Sequence, residues 1–279
     1  MILKAPAKIN WFLLIEGRRC DGYHNILSLM QRVSLYDTLS FEDSQDITVS
    51  SDLDLPMEDN LVFKAAQLLR EYSSCSRGAR ISLRKDIPSA AGLGGGSSDA
   101  AATLMGLNVL WGLGLDEETL MLLGARLGSD VPFFLGPPFS LVGGRGDVVR
   151  PLKSKTPFAI LLVKPDIPIS AVWAYNNYKK LTKKMVDIKL FCQALDKKDF
   201  ASLRQMACND LEDAVINEYQ VIDDIKRTLI EKGAEISLMS GSGSTVFGVF
   251  STLEKALRTS EDIDNHWCSV VSTVVDEET

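Results

Sequence analysis

Histidine is scarce in this chain: His24 and His266 are the only two. With neither an H-R-D nor a D-F-G motif, a protein-kinase catalytic loop is excluded. Cysteine offers no pairing either. Cys20, Cys75, Cys192, Cys208 and Cys268 are odd in number, and no two form a C-x-x-C pair. That excludes a disulfide framework and a Cys-based zinc site, and leaves buried or idle thiols in a reducing cytosol. No run of eighteen apolar residues occurs, so no membrane span is expected. The start, Met1-Ile2-Leu3-Lys4-Ala5-Pro6, reads as the beginning of a strand rather than a signal peptide, because a charge interrupts it early. Basic charge is in deficit, 30 Lys and Arg against 37 Asp and Glu, a net of -7. An acidic chain is a poor nucleic-acid binder, since binding draws on a basic patch that releases counterions. Lys179-Lys180 and Lys183-Lys184 make only a local patch on a solvated helix face. No repeat or low-complexity tract is found.

The chain holds 279 residues, 46% hydrophobic and 24% charged, which suits one large domain or two small ones with ample core. Its most informative stretch is Pro88-Ser89-Ala90-Ala91-Gly92-Leu93-Gly94-Gly95-Gly96-Ser97-Ser98. Gly92–Ser98 packs four glycines and two serines into seven residues, and an apolar segment, Ala100–Leu113, follows with helical character. Glycines let backbone approach a ligand closely, and a helix start offers unpaired N–H groups and a positive dipole end. Together they form a polyphosphate cradle, so the chain reads as a nucleotide-binding enzyme. The loop is neither common type. No lysine follows the glycines as a Walker A loop requires, and Ser97 stands where G-x-G-x-x-G needs its third glycine. A flexible Gly/Ser linker is disfavoured because the helix starts without a gap. Asp99 suits the first helical turn, and Ser97 and Ser98 suit capping or phosphate contact.

Periodicity predicts strands at Ile9–Ile15, Val33–Phe41, Ile47–Ser50 and Ala79–Leu83, and a short helix at Asn25–Met30. Helices are predicted at Asn60–Tyr72, Ala100–Leu113 and Glu117–Arg126, followed by Gly128-Ser129-Asp130-Val131-Pro132 and a glycine hairpin, Gly143–Asp147. Beyond Pro151, strands are expected at Phe158–Val163, Glu235–Leu238, Thr245–Phe250 and Ser269–Val275. Helices are expected at Ala171–Lys179, Ile188–Leu195, Phe200–Met206, Val221–Glu231 and from Leu253. This mixture is an α+β architecture in two closely joined halves, residues 1–152 and 153–279.

Three segments then carry a resemblance. Lys4-Ala5-Pro6-Ala7-Lys8-Ile9-Asn10, the glycine loop and the late turn Gly241-Ser242-Gly243-Ser244 resemble the three motifs of the GHMP kinases. Asp21-Gly22-Tyr23-His24, Gly128–Phe134 and Asn209-Asp210-Leu211-Glu212 narrow it to the branch that phosphorylates the 2-hydroxyl of a diphosphocytidyl-linked alcohol in non-mevalonate isoprenoid synthesis. The matches run in order from residue 4 to about residue 250. Ser89 and Trp11 depart from the usual pattern, and neither carries chemistry. The resemblance implies an N-terminal half like ribosomal protein S5 domain 2, a ferredoxin-like C-terminal half and a site between them. It implies ATP and Mg²⁺ as cofactors, a small-molecule substrate, a cytoplasmic monomer or homodimer, and no nucleic-acid or membrane partner.

Phosphoryl transfer asks for positioning and charge neutralisation, plus an acceptor for the hydroxyl proton. The resemblance makes Asp130 that base; its plain alternative is to cap the short helix after it. Lys8 would stabilise the attacking oxygen and the phosphoryl group, or fix Asp130 by an ion pair; its alternative is a snorkelling lysine. The ATP site would comprise Pro88, Ser89, Ala90, Ala91, Gly92, Leu93, Gly94, Gly95, Gly96, Ser97, Ser98 and Asn60, the last of which also suits an N-cap. Asn10, Tyr23, His24 and Tyr175 would bind the acceptor. Tyr23 and Tyr175 would sandwich the base, with Trp173 competing for the second place, and His24 would read its edge. Asn10 would bond substrate hydroxyls or orient Asp130. Gly241–Ser244 would bring amides to the phosphates or make a plain turn. The protein ligand of Mg²⁺ is left open, with Ser98 as a candidate. The rival readings are a kinase for homoserine or mevalonate, and a nucleotide sensor without turnover.

Overall fold

A computed structural model describes residues 1–52, 56–179 and 185–276, so Lys180, Lys183 and Lys184 of the basic patch lie outside the described residues. The first half runs β1 (Ile2–Arg18), β2 (His24–Ser44), β3 (Ile47–Ser51), α1 (Leu61–Ser73), β4 (Gly78–Arg84), α2 (Gly95–Leu110), α3 (Glu117–Leu127), α4 (Val131–Leu135), β5 (Phe139–Gly143) and β6 (Val148–Pro151). The second runs β7 (Ala159–Lys164), α5 (Ala171–Asn177), α6 (Ile188–Lys197), α7 (Phe200–Met206), β8 (Cys208–Asn209), α8 (Glu212–Glu218), α9 (Val221–Glu231), β9 (Ile236–Met239), β10 (Val246–Phe250), α10 (Leu253–Glu261) and β11 (Trp267–Ser272). The architecture is mixed α+β, as expected.

β1 and β2 form a long antiparallel hairpin at the centre of a seven-stranded sheet. Strand order along its main path is β3-β4-β2-β1-β8, with β5 pairing β2 and β6. β3 lies parallel to β4, and β8, from the second half of the chain, lies parallel to β1. The other sheet has order β11-β7-β10-β9, all antiparallel. Taken as first to fourth, these strands stand 4-1-3-2, the ferredoxin-like arrangement.

The short helix expected at Asn25–Met30 is a correction: those residues belong to β2. Ile26 and Ser28–Met30 are all buried, so the period-2 signature of a half-exposed strand is missing, and the ladder to β1 decides the conformation. α2 starts at Gly95, five residues before the expected start, with Gly94 as N-cap. Ser97 and Ser98 therefore sit inside the helix rather than capping it. α8, which follows the Asn209–Glu212 motif, was not expected as a helix.

Three apolar clusters fill the interior. One lies between the larger sheet and α1–α4. A second joins the halves: Trp11 on β1 packs edge-on against Phe158, Phe191 and Phe247, with centroids 5.1–6.4 Å apart. Its indole donates to Gln31 Oε1 at 2.7 Å, so the departure from leucine at this position is a polar-tipped wedge. The third packs α5 and α8–α10 on the smaller sheet.

Candidate active site

The three motifs converge because backbone pairing brings them together. The Lys8 amide donates to Leu93 O at 3.0 Å, and the Thr245 amide to Ala91 O at 3.2 Å. Ser240 Oγ donates to Gly92 O at 3.0 Å. The glycine loop is thus held between β1 and the late turn. Gly92 is required there: its φ is +72°, and a Cβ would lie 2.1 Å from Ser240 O. Gly94 has φ +73°, and a Cβ would lie 2.8 Å from the Phe134 ring. Gly94 caps α2 without any side-chain hydrogen bond. The first-turn amides of α2, with the positive dipole end, are left for a ligand. Ser98 Oγ is buried nearby and has no partner among the described residues.

A cavity of about 440 Å³ opens against this loop, lined among others by Lys8, Asn10, Tyr23, His24, Gly92, Gly94, Ser97, Asp130, Arg145, Tyr175, Gly241 and Ser242. Of the expected loop residues, only Gly92, Gly94 and Ser97 line it. Ala91 and Leu93 send their side chains into the core between the halves. Asn60 does not line it; its Oδ1 accepts the Val62 amide at 2.9 Å and caps α1.

Lys8 is 3% exposed, and its Nζ stands 3.9 Å from Asp130 Oδ2, whose side chain is 31% exposed. Burial pushes the Lys8 ammonium below the ordinary lysine range, and Asp130 opposes that shift. Asp130 occupies the N-cap position of α4 but makes no side-chain capping bond, so its carboxylate is available to the cavity. Asn10 serves Lys8 rather than Asp130: its Oδ1 accepts from Lys8 Nζ at 2.6 Å and its amide donates to Ser28 Oγ at 2.8 Å. The Lys8–Asn10 contact follows from strand geometry, since residues two apart share a face, whereas Ser28 comes from the neighbouring strand β2.

The expected aromatic partners separate. Tyr175 stacks on His24, centroids 5.4 Å apart and planes 26° off parallel, rather than facing Tyr23. Trp173 instead packs edge-on against Tyr219 and is absent from the cavity lining. Tyr23 is 51% exposed and lies under the Arg145 guanidinium, 5.4 Å from its ring centroid. Burial, with some help from Arg18, lowers the His24 pKa. Burial and the Asp130 charge push the Tyr175 phenol up.

Sequence reasoning missed what supports the loop. Asp37 on β2 is fully buried; its Oδ1 accepts the Asp86 and Ile87 amides at 2.7 and 2.8 Å, where the chain leaves β4. Lys85 Nζ bridges Asp37 Oδ2 and, at 2.7 Å, Asp99 Oδ2 on α2. Both ends of the glycine loop are therefore tied to one buried cluster of two carboxylates and one ammonium. Burial opposes the Lys85 charge, but Asp99 and Asp37 together hold its pKa above the ordinary value. Burial, reinforced by Asp37 and opposed by Lys85, pushes Asp99 up to about 7. Asn209, from a motif the sequence did single out, holds the late turn: its amide donates to Met239 O and Gly241 O at 2.8 and 2.7 Å.

No group of three or more His, Cys, Asp and Glu side chains able to hold a metal ion occurs among the described residues. No helix among them is long and apolar enough to cross a membrane.

The chain is similar to known proteins over nearly its whole length. The profile described as GHMP kinases N terminal domain matches residues 60–136, and that described as GHMP kinases C terminal matches residues 191–267. The 4-diphosphocytidyl-2-C-methyl-D-erythritol kinase of Thermodesulfovibrio yellowstonii is 46% identical, with 98% of each chain covered. The protein of the same name from Caldanaerobacter subterraneus subsp. tengcongensis is 42% identical over 94% of this chain and 92% of its own. A crystal structure of 4-(cytidine 5'-diphospho)-2C-methyl-D-erythritol kinase superposes with TM-score 0.84 at 30% identity, covering 97% of this chain and 99% of that one. The homoserine kinase of Cytophaga hutchinsonii shares the fold, with TM-score 0.76 at 20% identity over 100% of this chain and 95% of its own.

Proposed function

The chain belongs to the GHMP kinases, and from that premise we propose that it transfers the terminal phosphoryl group of ATP to the 2-hydroxyl of 4-diphosphocytidyl-2-C-methyl-D-erythritol, in non-mevalonate isoprenoid synthesis. The observation that carries the reading is the convergence of Lys8, Asp130 and the uncapped start of α2 on one cavity. Asp130 accepts the hydroxyl proton as the oxygen attacks. Lys8, fixed by Asn10, stabilises charge on that oxygen and on the phosphoryl group in flight, and burial strengthens its effect. The loop Pro88–Ser98 with the α2 amides holds the triphosphate, and Gly241 and Ser242 close the cavity beside Lys8. His24 and Tyr175 with Tyr23 hold the nucleotide end of the acceptor. Their ring separation requires the His24–Tyr175 stack to part if the base enters between them. The lining supports Tyr175 over Trp173 as the stacking residue.

Mg²⁺ fits this site as an ion carried chiefly by phosphate oxygens and water, the usual mode beside a triphosphate. The orphaned Ser98 hydroxyl is the residue suited to hold it. When bound, the ion supplies charge neutralisation on the phosphates. The reading puts the enzyme in the cytoplasm, as a monomer or homodimer, with no nucleic-acid or membrane partner.

The test is to incubate the pure protein with ATP, Mg²⁺ and the diphosphocytidyl alcohol and to follow ADP and the 2-phosphate, with homoserine and mevalonate as controls. Stoichiometric ADP and 2-phosphate are expected. ADP with a control alone would move the chain to another branch, and ATP binding without product would make it a sensor.

A further inference from the structure

Arg32 stands opposite Lys8 in the β1–β2 ladder, so the two side chains leave the sheet on the same face. They reach opposite ends of α4. Lys8 approaches Asp130 at its start. The Arg32 guanidinium reaches its other end, where Nη2 donates to Phe133 O at 3.0 Å and to Gly136 O. The same guanidinium lies 5.6 and 6.0 Å from the ring centroids of Phe133 and Phe134.

α4 has only five residues and no capping side chain at its start, so it cannot hold its place by intrinsic helicity. A cation on its last carbonyls satisfies groups the helix leaves open and complements its dipole. Arg32 also has a buried Nε with no partner among the described residues, a desolvation cost that a methionine of similar length would avoid. Stability alone is a poor account of such a residue. Phe134, on the same helix, packs under Gly94 of the phosphate loop. A shift of α4 would move Asp130 and the floor of the loop together.

We propose that Arg32 is a positioning residue for the transfer reaction, acting through α4 to hold Asp130 against Lys8; the inference rests on the kinase reading above. Burial lowers the Arg32 pKa only to about 10, so the contact persists at neutral pH. A misplacement on the order of 1 Å in a catalytic group can cost about 100-fold in rate.

The test is steady-state kinetics of Arg32→Met and Arg32→Lys with ATP, Mg²⁺ and the diphosphocytidyl alcohol, alongside thermal unfolding. Arg32→Met is expected to lower kcat about 10-fold or more while both KM values stay within about 3-fold, in a protein that remains folded at the assay temperature. Arg32→Lys, which keeps a cation near the carbonyls, is expected to recover part of the loss. A kcat for Arg32→Met within about 2-fold of wild type would overturn the proposal, as would KM values rising in step with the loss, or a loss equal to the unfolded fraction. Should Arg32→Met not fold, Arg32→Lys carries the same kcat-against-KM criterion. A wild-type protein that makes no product from this acceptor would instead overturn the proposed reaction on which the inference rests.

Discussion

Replacing Lys85 by methionine would strip the ammonium from a cluster in which Asp37 is fully buried and Asp99 is 2% exposed. Removing one partner of a buried ion pair typically costs about 3–5 kcal/mol, because the remaining charge is left unpaired. Asp37 would be left without its ammonium, and Asp99 holds a proton below about pH 7, so the loss is a large share of a total stability of about 5–15 kcal/mol and is greater above that pH. Asp99→Asn should behave in the opposite way. Asparagine keeps an oxygen for Lys85 and leaves Lys85 and Asp37 as a neutral pair. The sign of the pH effect follows from the raised Asp99 pKa. Between the unfolded value near 3.8 and the folded value of about 7, the folded state holds a proton that the unfolded chain has released. Stability therefore falls as pH rises through that window and levels off above it. The gap corresponds to at most about 4 kcal/mol. Urea unfolding of wild type, Lys85→Met and Asp99→Asn at about pH 5 and about pH 8 reads these terms. Asp99→Asn should match or exceed wild type at the higher pH and lose part of the pH slope. The reasoning fails if Lys85→Met unfolds within about 1 kcal/mol of wild type, or if Asp99→Asn loses as much as Lys85→Met.

The remaining expectations concern the cavity. Lys8→Met should fold and lose about 10²–10³ in kcat, the usual effect of deleting a preorganised charge donor; near wild-type turnover in the ADP assay would remove Lys8 from the mechanism. Tyr175→Ala should raise the acceptor KM about 5- to 150-fold, the equivalent of about 1–3 kcal/mol of base stacking, and leave the ATP KM unchanged. Trp173→Ala should leave both KM values unchanged, and a reversed outcome in parallel kinetics of the two variants would exchange their roles.

Much of the site was legible in the sequence because its motifs are local. The glycine run, the Gly-Ser-Asp-Val-Pro turn and the lysine and asparagine two residues apart on β1 each show their chemistry within a few positions. Helices such as α1 and α9 carry a clean 3.6-residue pattern, so their spans came out within a residue or two. What was not legible depends on pairing across long separations. β2 is buried on both faces over Ser28–Met30, and only its ladder to β1 and β5 tells it from a helix. The start of α2 hides among glycines, whose low helix propensity argues against a helix that dipole and packing nevertheless hold there. Asp37 and Lys85 are 48 positions apart, and Arg32 is 101 from Phe133, so no periodicity marks them as partners. Asn60 shows a local signal with two readings: it suits both an N-cap and a nucleotide contact, and in the structure its Oδ1 accepts the Val62 amide of its own helix.

The claim that Lys8 and Asp130 face the transferring phosphorus across the cavity is tested most directly by a crystal structure with a non-hydrolysable ATP analogue, Mg²⁺ and the diphosphocytidyl alcohol. The account predicts the terminal phosphorus between the α2 amides and the Lys8 ammonium, with the acceptor hydroxyl within hydrogen-bond reach of the Asp130 carboxylate. A terminal phosphorus remote from both side chains in that ternary complex would contradict it.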